Sequence, residues 1–76
     1  MNGKLPRLGA LELVRALKRA GFEEKRQKGS HLHLKRERDK KRVTVPMHKG
    51  RDIPSGTLRG ILKDADLSVD EFRQLL

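Results

Sequence analysis

Gln27-Lys28-Gly29-Ser30-His31-Leu32-His33-Leu34-Lys35 reads as a tight turn running into a strand. Gly29-Ser30 supplies the turn, because glycine takes the positive φ that hairpin corners require. Along a strand, successive side chains point to opposite faces. His31, His33 and Lys35 therefore share one face, and Leu32 and Leu34 the other. The leucine face calls for a core. The opposite face carries two imidazoles and an ammonium, groups suited to binding a phosphate and moving its protons.

Working outward, the segments on either side supply that core. From Gly9 to Ala20 the pattern is helical: Ala10, Leu13, Val14, Leu17 and Ala20 recur at spacings of three and four. Gly21 is the C-terminal stop, and Phe22 to Lys28 is a charged edge strand whose cations discourage pairing with other chains. The organising strand runs from about His31 to Arg36. A charged turn follows, and Arg42-Val43-Thr44-Val45 is a third strand ended by Pro46. Met47 to Pro54 is a loop. A second helix starts near Pro54 or Ser55, with Leu58, Ile61, Leu62 and Ala65 on its apolar stripe, and breaks at Asp66-Leu67. Ser68 and Glu71 form a capping box for a short last helix striped by Val69, Phe72 and Leu76. Residues 1–8 read as a loose lead-in.

Short links force the three strands into an antiparallel meander, and both helices must cover its one apolar face. The expected fold is α+β: helix, three-stranded antiparallel sheet, helix, with a short C-terminal helix, filling residues 1–76 as one domain. This is the layout of a double-stranded-RNA-binding domain. Its core is expected to hold Leu17, Leu32, Val43, Leu58, Ile61 and Leu62.

The chain has 19 Lys and Arg against 10 Asp and Glu, a net charge of +9. That balance favours polyanionic partners, whose counterions are released on binding. Phe22 and Phe72 are the only aromatics, so no base-stacking platform is visible. There is no cysteine, hence neither disulfide nor thiolate metal site. No apolar run suits a signal peptide or a membrane span, and a cytoplasmic location is expected.

Three blocks carry a resemblance over nearly the whole chain. Gly29-Ser30-His31 follows the first helix, Val45-Pro46-Met47-His48 closes the third strand, and Gly56-Thr57-Leu58-Arg59-Gly60-Ile61-Leu62-Lys63 forms the second helix. In this order and spacing they resemble the HicA, or YcfA-like, toxin family. The resemblance implies a double-stranded-RNA-binding-like fold, a ribosome-independent mRNA interferase activity and a HicB-type antitoxin partner. It also implies that His31, in the Gly-Ser-His block, is the catalytic histidine. Two departures stand out: Gly9 occupies the cap position where the family often has serine, and the strand before Gly29 is unusually charged.

The residues themselves fit such chemistry. Metal-free RNA cleavage needs a base for the ribose 2′-hydroxyl, cations around the five-coordinate phosphorus, and an acid for the leaving oxygen. Histidine titrates near neutral pH and serves as base or acid. His31 sits beside Gly29, where a backbone can approach, and Lys28 and Lys35 flank it. His33 lies roughly 6.6 Å further along the same face. It either spans the phosphate as a second acid or is a polar residue on a wet sheet, and the second reading is preferred. His48, with Lys49 beside it, either binds RNA or orders its loop. Ser55, Gly56 and Thr57 open a helix whose free N–H groups can hold an anion, extended by Arg59 and Lys63; ordinary capping is the alternative. Lys35 to Arg42 holds six cations in eight positions, a phosphate-contacting hairpin tip or a solvated turn. The expected RNA contacts are Lys28, Gly29, Ser30, His33, Lys35, His48, Lys49, Thr57 and Arg59. His31, His33 and His48 lack a neighbouring fourth ligand, so neither metal nor cofactor is expected. The competing readings are a non-catalytic RNA-binding module of the same fold and, more weakly, a DNA-binding accessory protein.

Overall fold

In the computed structural model, which describes residues 4–76, the chain forms α1 (Ala10–Arg19), β1 (Glu23–Lys28), β2 (His31–Arg36), β3 (Lys41–Pro46), α2 (Ser55–Asp64) and α3 (Val69–Gln74). The strands make one antiparallel sheet in the order β1-β2-β3. Leu32 and Leu34 of β2 pair with Val45 and Val43 of β3, and all four are buried. They meet Leu13, Val14 and Leu17 of α1 and Leu58, Ile61 and Leu62 of α2 in one core. Both helices therefore lie on one face of the sheet, and the six expected core residues are all buried there. The α+β layout read from the hydrophobic periods is the observed one.

The local signals act as expected at several corners. Gly21 takes φ 99° just past α1, and Gly29 takes φ 59° in the β1–β2 turn. Asp66 ends α2 in the left-handed region at φ 58°, which lets the Leu67 N–H reach back to the Leu62 carbonyl at 2.9 Å. The Ser68 hydroxyl accepts from the Glu71 N–H at 3.0 Å, and the Glu71 carboxylate accepts from the Ser68 N–H at 2.8 Å. The carboxylate of Glu71 is held below its usual pKa by those two bonds. At α1, where glycine offers no side-chain cap, the Glu12 carboxylate accepts from the Gly9 N–H at 3.1 Å.

Other expectations need correction. The described part of the lead-in, residues 4–8, is not loose. Leu8 is buried, Leu5 packs on the core, and the Leu8 carbonyl accepts from the Ile53 N–H at 2.9 Å. Gly9 and Asp52 form an isolated antiparallel bridge. Two segments without periodicity thus pair with each other and seat Leu8 and Ile53 in the core. Residues 1–3 of that lead-in lie outside the described residues. The third strand extends one residue further at each end, and Pro46 closes it opposite His31, where an edge strand tolerates a missing N–H. The last helix stops at Gln74, so Leu75 packs on the core and Leu76 stands 52% exposed. Register also breaks once, with a bulge in β1 between Glu24 and Arg26.

Arg36 is the largest departure. It follows Leu32 and Leu34 on the inward side of β2 and is only 3% exposed. Its guanidinium donates to both carboxylate oxygens of Asp39, to the Ala20 carbonyl at 3.2 Å and to the Ala65 carbonyl at 2.9 Å. It also lies 4.6 Å from the centre of the Phe22 ring. Its stem passes so close to Gly21 that a Cβ there would stand 3.2 Å from the Arg36 Cδ.

Candidate active site

Directly opposed residues of an antiparallel pair face the same way. The outer face of the sheet is therefore built in rows across its three strands. Lys28, His31 and Pro46 form the first row, Arg26, His33 and Thr44 the second, Glu23, Lys35 and Arg42 the third. His31 is exposed, and its ring has no hydrogen-bond partner among the described residues. The His33 ring is half-buried and oriented by Thr44, whose Oγ1 lies 3.1 Å from the His33 Nδ1. Thr44 is a contributor that residue-type reasoning passed over; its position opposite His33 in the meander was the available signal. Lys28 and Arg26 are exposed, and Lys35 is half-buried with its ammonium 3.8 Å from the Glu37 carboxylate.

The corner that carries His31 is held from two sides. The Gln27 amide donates to the Gly29 carbonyl at 3.1 Å, closing the turn. The Met47 N–H donates to the Ser30 carbonyl at 2.6 Å, tying the turn to the loop after β3. A Cβ built on Gly29 would meet nothing within 4 Å, so the space beside the turn is open to a ligand backbone. His48 and Lys49 are exposed on the adjoining loop. The loop and the first turn of α1 enclose a groove of about 690 Å³ lined in part by His48, Lys49 and Leu11.

Arg36 fixes the polarity of the two long helices. Ala20 follows α1 and Ala65 follows α2, and both their carbonyls bond the same guanidinium. The C-terminal ends of α1 and α2 thus converge at the Arg36 end of β2. Each helix has ten residues and spans roughly 15 Å. Their N-terminal ends, where the dipole is positive, lie toward the His31 end. Thr57 and Arg59 are exposed on α2, in the helix layer rather than on the outer sheet face. Thr57 lies in the first turn of α2 and Arg59 at its middle, so neither shares the sheet surface that carries His31.

The cation-rich hairpin divides. Arg36 is committed to the interior. Lys25, Lys35 and Lys40 all approach the Glu37 carboxylate, whose pKa is lowered to about 2, first by the Lys40 hydrogen bond and then by the Lys25 one. The Asp39 carboxyl is likewise held low, chiefly by its hydrogen bond from Arg36. The six cations counted there are thus partly neutralised from within, and Arg38, Lys41 and Arg42 have no ion-pair partner among the described residues. Among the described residues, no three His, Asp or Glu side chains gather so as to hold a metal ion. No helix among the described residues is long and apolar enough to cross a membrane.

The sequence matches a known family. The family model described as the HicA toxin of bacterial toxin–antitoxin systems matches residues 11–67, from the first turn of α1 through the end of α2. The chain belongs to that family, and membership implies an antitoxin partner. No curated protein matches the chain.

Proposed function

We propose that the protein is a metal-independent endoribonuclease that cleaves mRNA in the cytoplasm, with His31 as the general base, and that a HicB-type antitoxin neutralises it. The observation carrying this reading is the exposed, uncommitted His31 imidazole set between Lys28 and a bonded His33 on a cationic face. In this scheme His31 takes the 2′-hydroxyl proton, the oxygen attacks the adjacent phosphorus, and the bond from phosphorus to the 5′-oxygen breaks, leaving a 2′,3′-cyclic phosphate and a protonated 5′-hydroxyl. Lys28, Lys35 and the Gly29-Ser30 backbone hold the phosphate. His33, kept in place by Thr44, is within reach of the leaving oxygen. His48, Lys49, Thr57 and Arg59 guide the strand, helped by the helix N-terminal dipoles. Attack of a 2′-oxygen requires a ribose, so DNA resists cleavage.

Incubation of the purified chain with end-labelled single-stranded RNA in a chelator tests the reading. Cleavage that persists in chelator and disappears in His31→Ala is expected. RNA binding without cleavage in the wild-type chain would establish the binding module of the same fold instead.

A further inference from the structure

Beside His31 lies a groove whose walls are largely apolar, unlike the polar outer face of the sheet. Leu11, on the second position of α1, stands 60% exposed over it, while Met47 lines it from the loop, half-buried against the core. A leucine pointing out of an amphipathic helix is ordinary by itself. Here it faces a second apolar side chain across a groove of about 690 Å³, ample for a purine ring and its sugar. The rim is cationic. Arg15, Lys49 and Arg51 line it and form no ion pair among the described residues. The carboxylate of Glu12 on the same wall is engaged with the Gly9 N–H.

The groove adjoins the corner of the fold that carries His31. Met47 follows Pro46, which pairs with His31, and its N–H bonds the Ser30 carbonyl. Met47 is thus one residue from the cross-strand partner of His31, which sets the groove within about one nucleotide step, roughly 7 Å, of a phosphate held there. An unpaired nucleobase has two apolar faces and a polar edge. Leu11 and the Met47 thioether suit the faces, guanidinium planes such as Arg15 and Arg51 stack on bases, and the rim charges suit the attached phosphate. Both phenylalanines are buried, so stacking in the groove falls to Leu11, Met47, the arginines and the exposed His48 that also lines it.

We propose that the groove between α1 and the 47–52 loop is a subsite for one unpaired nucleobase of the RNA, next to the phosphate held at His31. This rests on the endoribonuclease reading and adds to it a determinant of where the strand is cut. The same feature makes single-stranded RNA, with its bases free to splay, the preferred substrate over a duplex.

A 12-nucleotide single-stranded RNA, replaced in turn by an abasic nucleotide at each position flanking the cleaved linkage, tests the subsite. We expect cleavage by the wild-type chain to fall about tenfold for one abasic position within two nucleotides of the cut. Leu11→Gln, which keeps a good helix former at an exposed site, should lose a similar factor on intact RNA and be indifferent to that abasic position. Leu76→Gln, an equally exposed apolar residue away from the groove, serves as control and should match wild type. Affinity of the abasic series for the His31→Ala chain reads the groove without any cleavage. A tenfold loss at one position supports the subsite even if the nuclease reading fails. A flat abasic series in both assays overturns the subsite while leaving His31-dependent cleavage standing. So does a Leu11→Gln chain that handles RNA normally but escapes its antitoxin, a result that would give the groove to the protein partner.

Discussion

The two ends of strand β2 lie five residues apart and treat a nitrogen base in opposite ways. At one end the His31 ring is exposed and has no partner among the described residues. At the other, the Arg36 guanidinium is buried under Phe22, bonded to Asp39 and to the last carbonyls of two helices. The difference follows from helix polarity. Both long helices bring their negative ends to Arg36, and a fixed cation there satisfies carbonyls that the helices leave open. Their positive ends face the His31 side, where α2 has no acidic residue in its first turn. One end is closed by the chain's own charge, and the other leaves an exposed imidazole without a partner among the described residues. Net charge alone therefore overstates what is available to a partner.

The strongest way to break this contrast is at the open end. His31→Ala should lower the cleavage rate by about 10²–10⁴, the usual worth of a positioned general base. Its stability should change by less than about 0.5 kcal/mol, because an exposed side chain leaves no cavity. His31→Gln preserves hydrogen-bonding size without proton transfer, so an active His31→Gln chain would exclude the general-base role. Urea melts alongside single-turnover rates separate the two effects.

Salt sharpens the contrast next. If about five phosphates are contacted, RNA affinity should drop roughly 10²-fold between 50 and 200 mM salt, given a slope near −0.7 per phosphate on single strands. Lys28→Ala and Arg26→Ala should each flatten the slope. Lys40→Ala should do so less, since Lys40 is paired with Glu37. Equal effects from all three, measured by fluorescence anisotropy, would erase the distinction between the two ends.

At the closed end the cost is structural. Arg36→Ala should destabilise the fold by roughly 1.5–3 kcal/mol, the scale of hydrogen bonds to a charged group. Arg36→Met retains the apolar stem over Phe22 and should recover part of that loss. A urea midpoint for Arg36→Ala equal to wild type would mean the network adds nothing to stability.

The smallest effect is acid sensitivity. The Glu37 pKa of about 2 in the folded chain lies below its ordinary value of 4.5. Protons therefore bind the unfolded form more readily. Stability from Glu37 is present above pH 4.5 and is lost as pH falls toward 2. The group is exposed, so the loss is modest and shrinks in high salt. Glu37→Gln should flatten the urea midpoint between pH 5 and 3 relative to wild type.

Most of the architecture was legible because it rests on strong local signals. Alternation through His31–Lys35 put the leucines inside, and the 3.6-residue stripe of α2 put Leu58, Ile61 and Leu62 there as well. Ser68 and Glu71 cap α3 as their spacing requires. Leu8 and Ile53 were not legible, since neither segment carries a helical or strand period. In the sequence Arg36 reads as surface charge, because arginine is seldom buried. The alternation itself placed it two residues beyond Leu34 on the inward face, and Gly21 left the room its stem uses. The candidate site was legible in its Gly29-Ser30-His31 corner. The groove was not, because Leu11 and Met47 are distant in sequence and meet only once Gly9 bridges Asp52.

Under the proposed function, the alternation in β2 separates chemistry from core by odd and even positions. Odd positions 31, 33 and 35 face the solvent, and even positions 32, 34 and 36 face the core. Inserting or deleting one residue within the strand would swap the two sets beyond that point. Composition and charge would scarcely change, yet leucines would meet water and imidazoles would meet the core. The fold and the chemistry are thus written in the same reading frame of side chains, and neither can slip without the other.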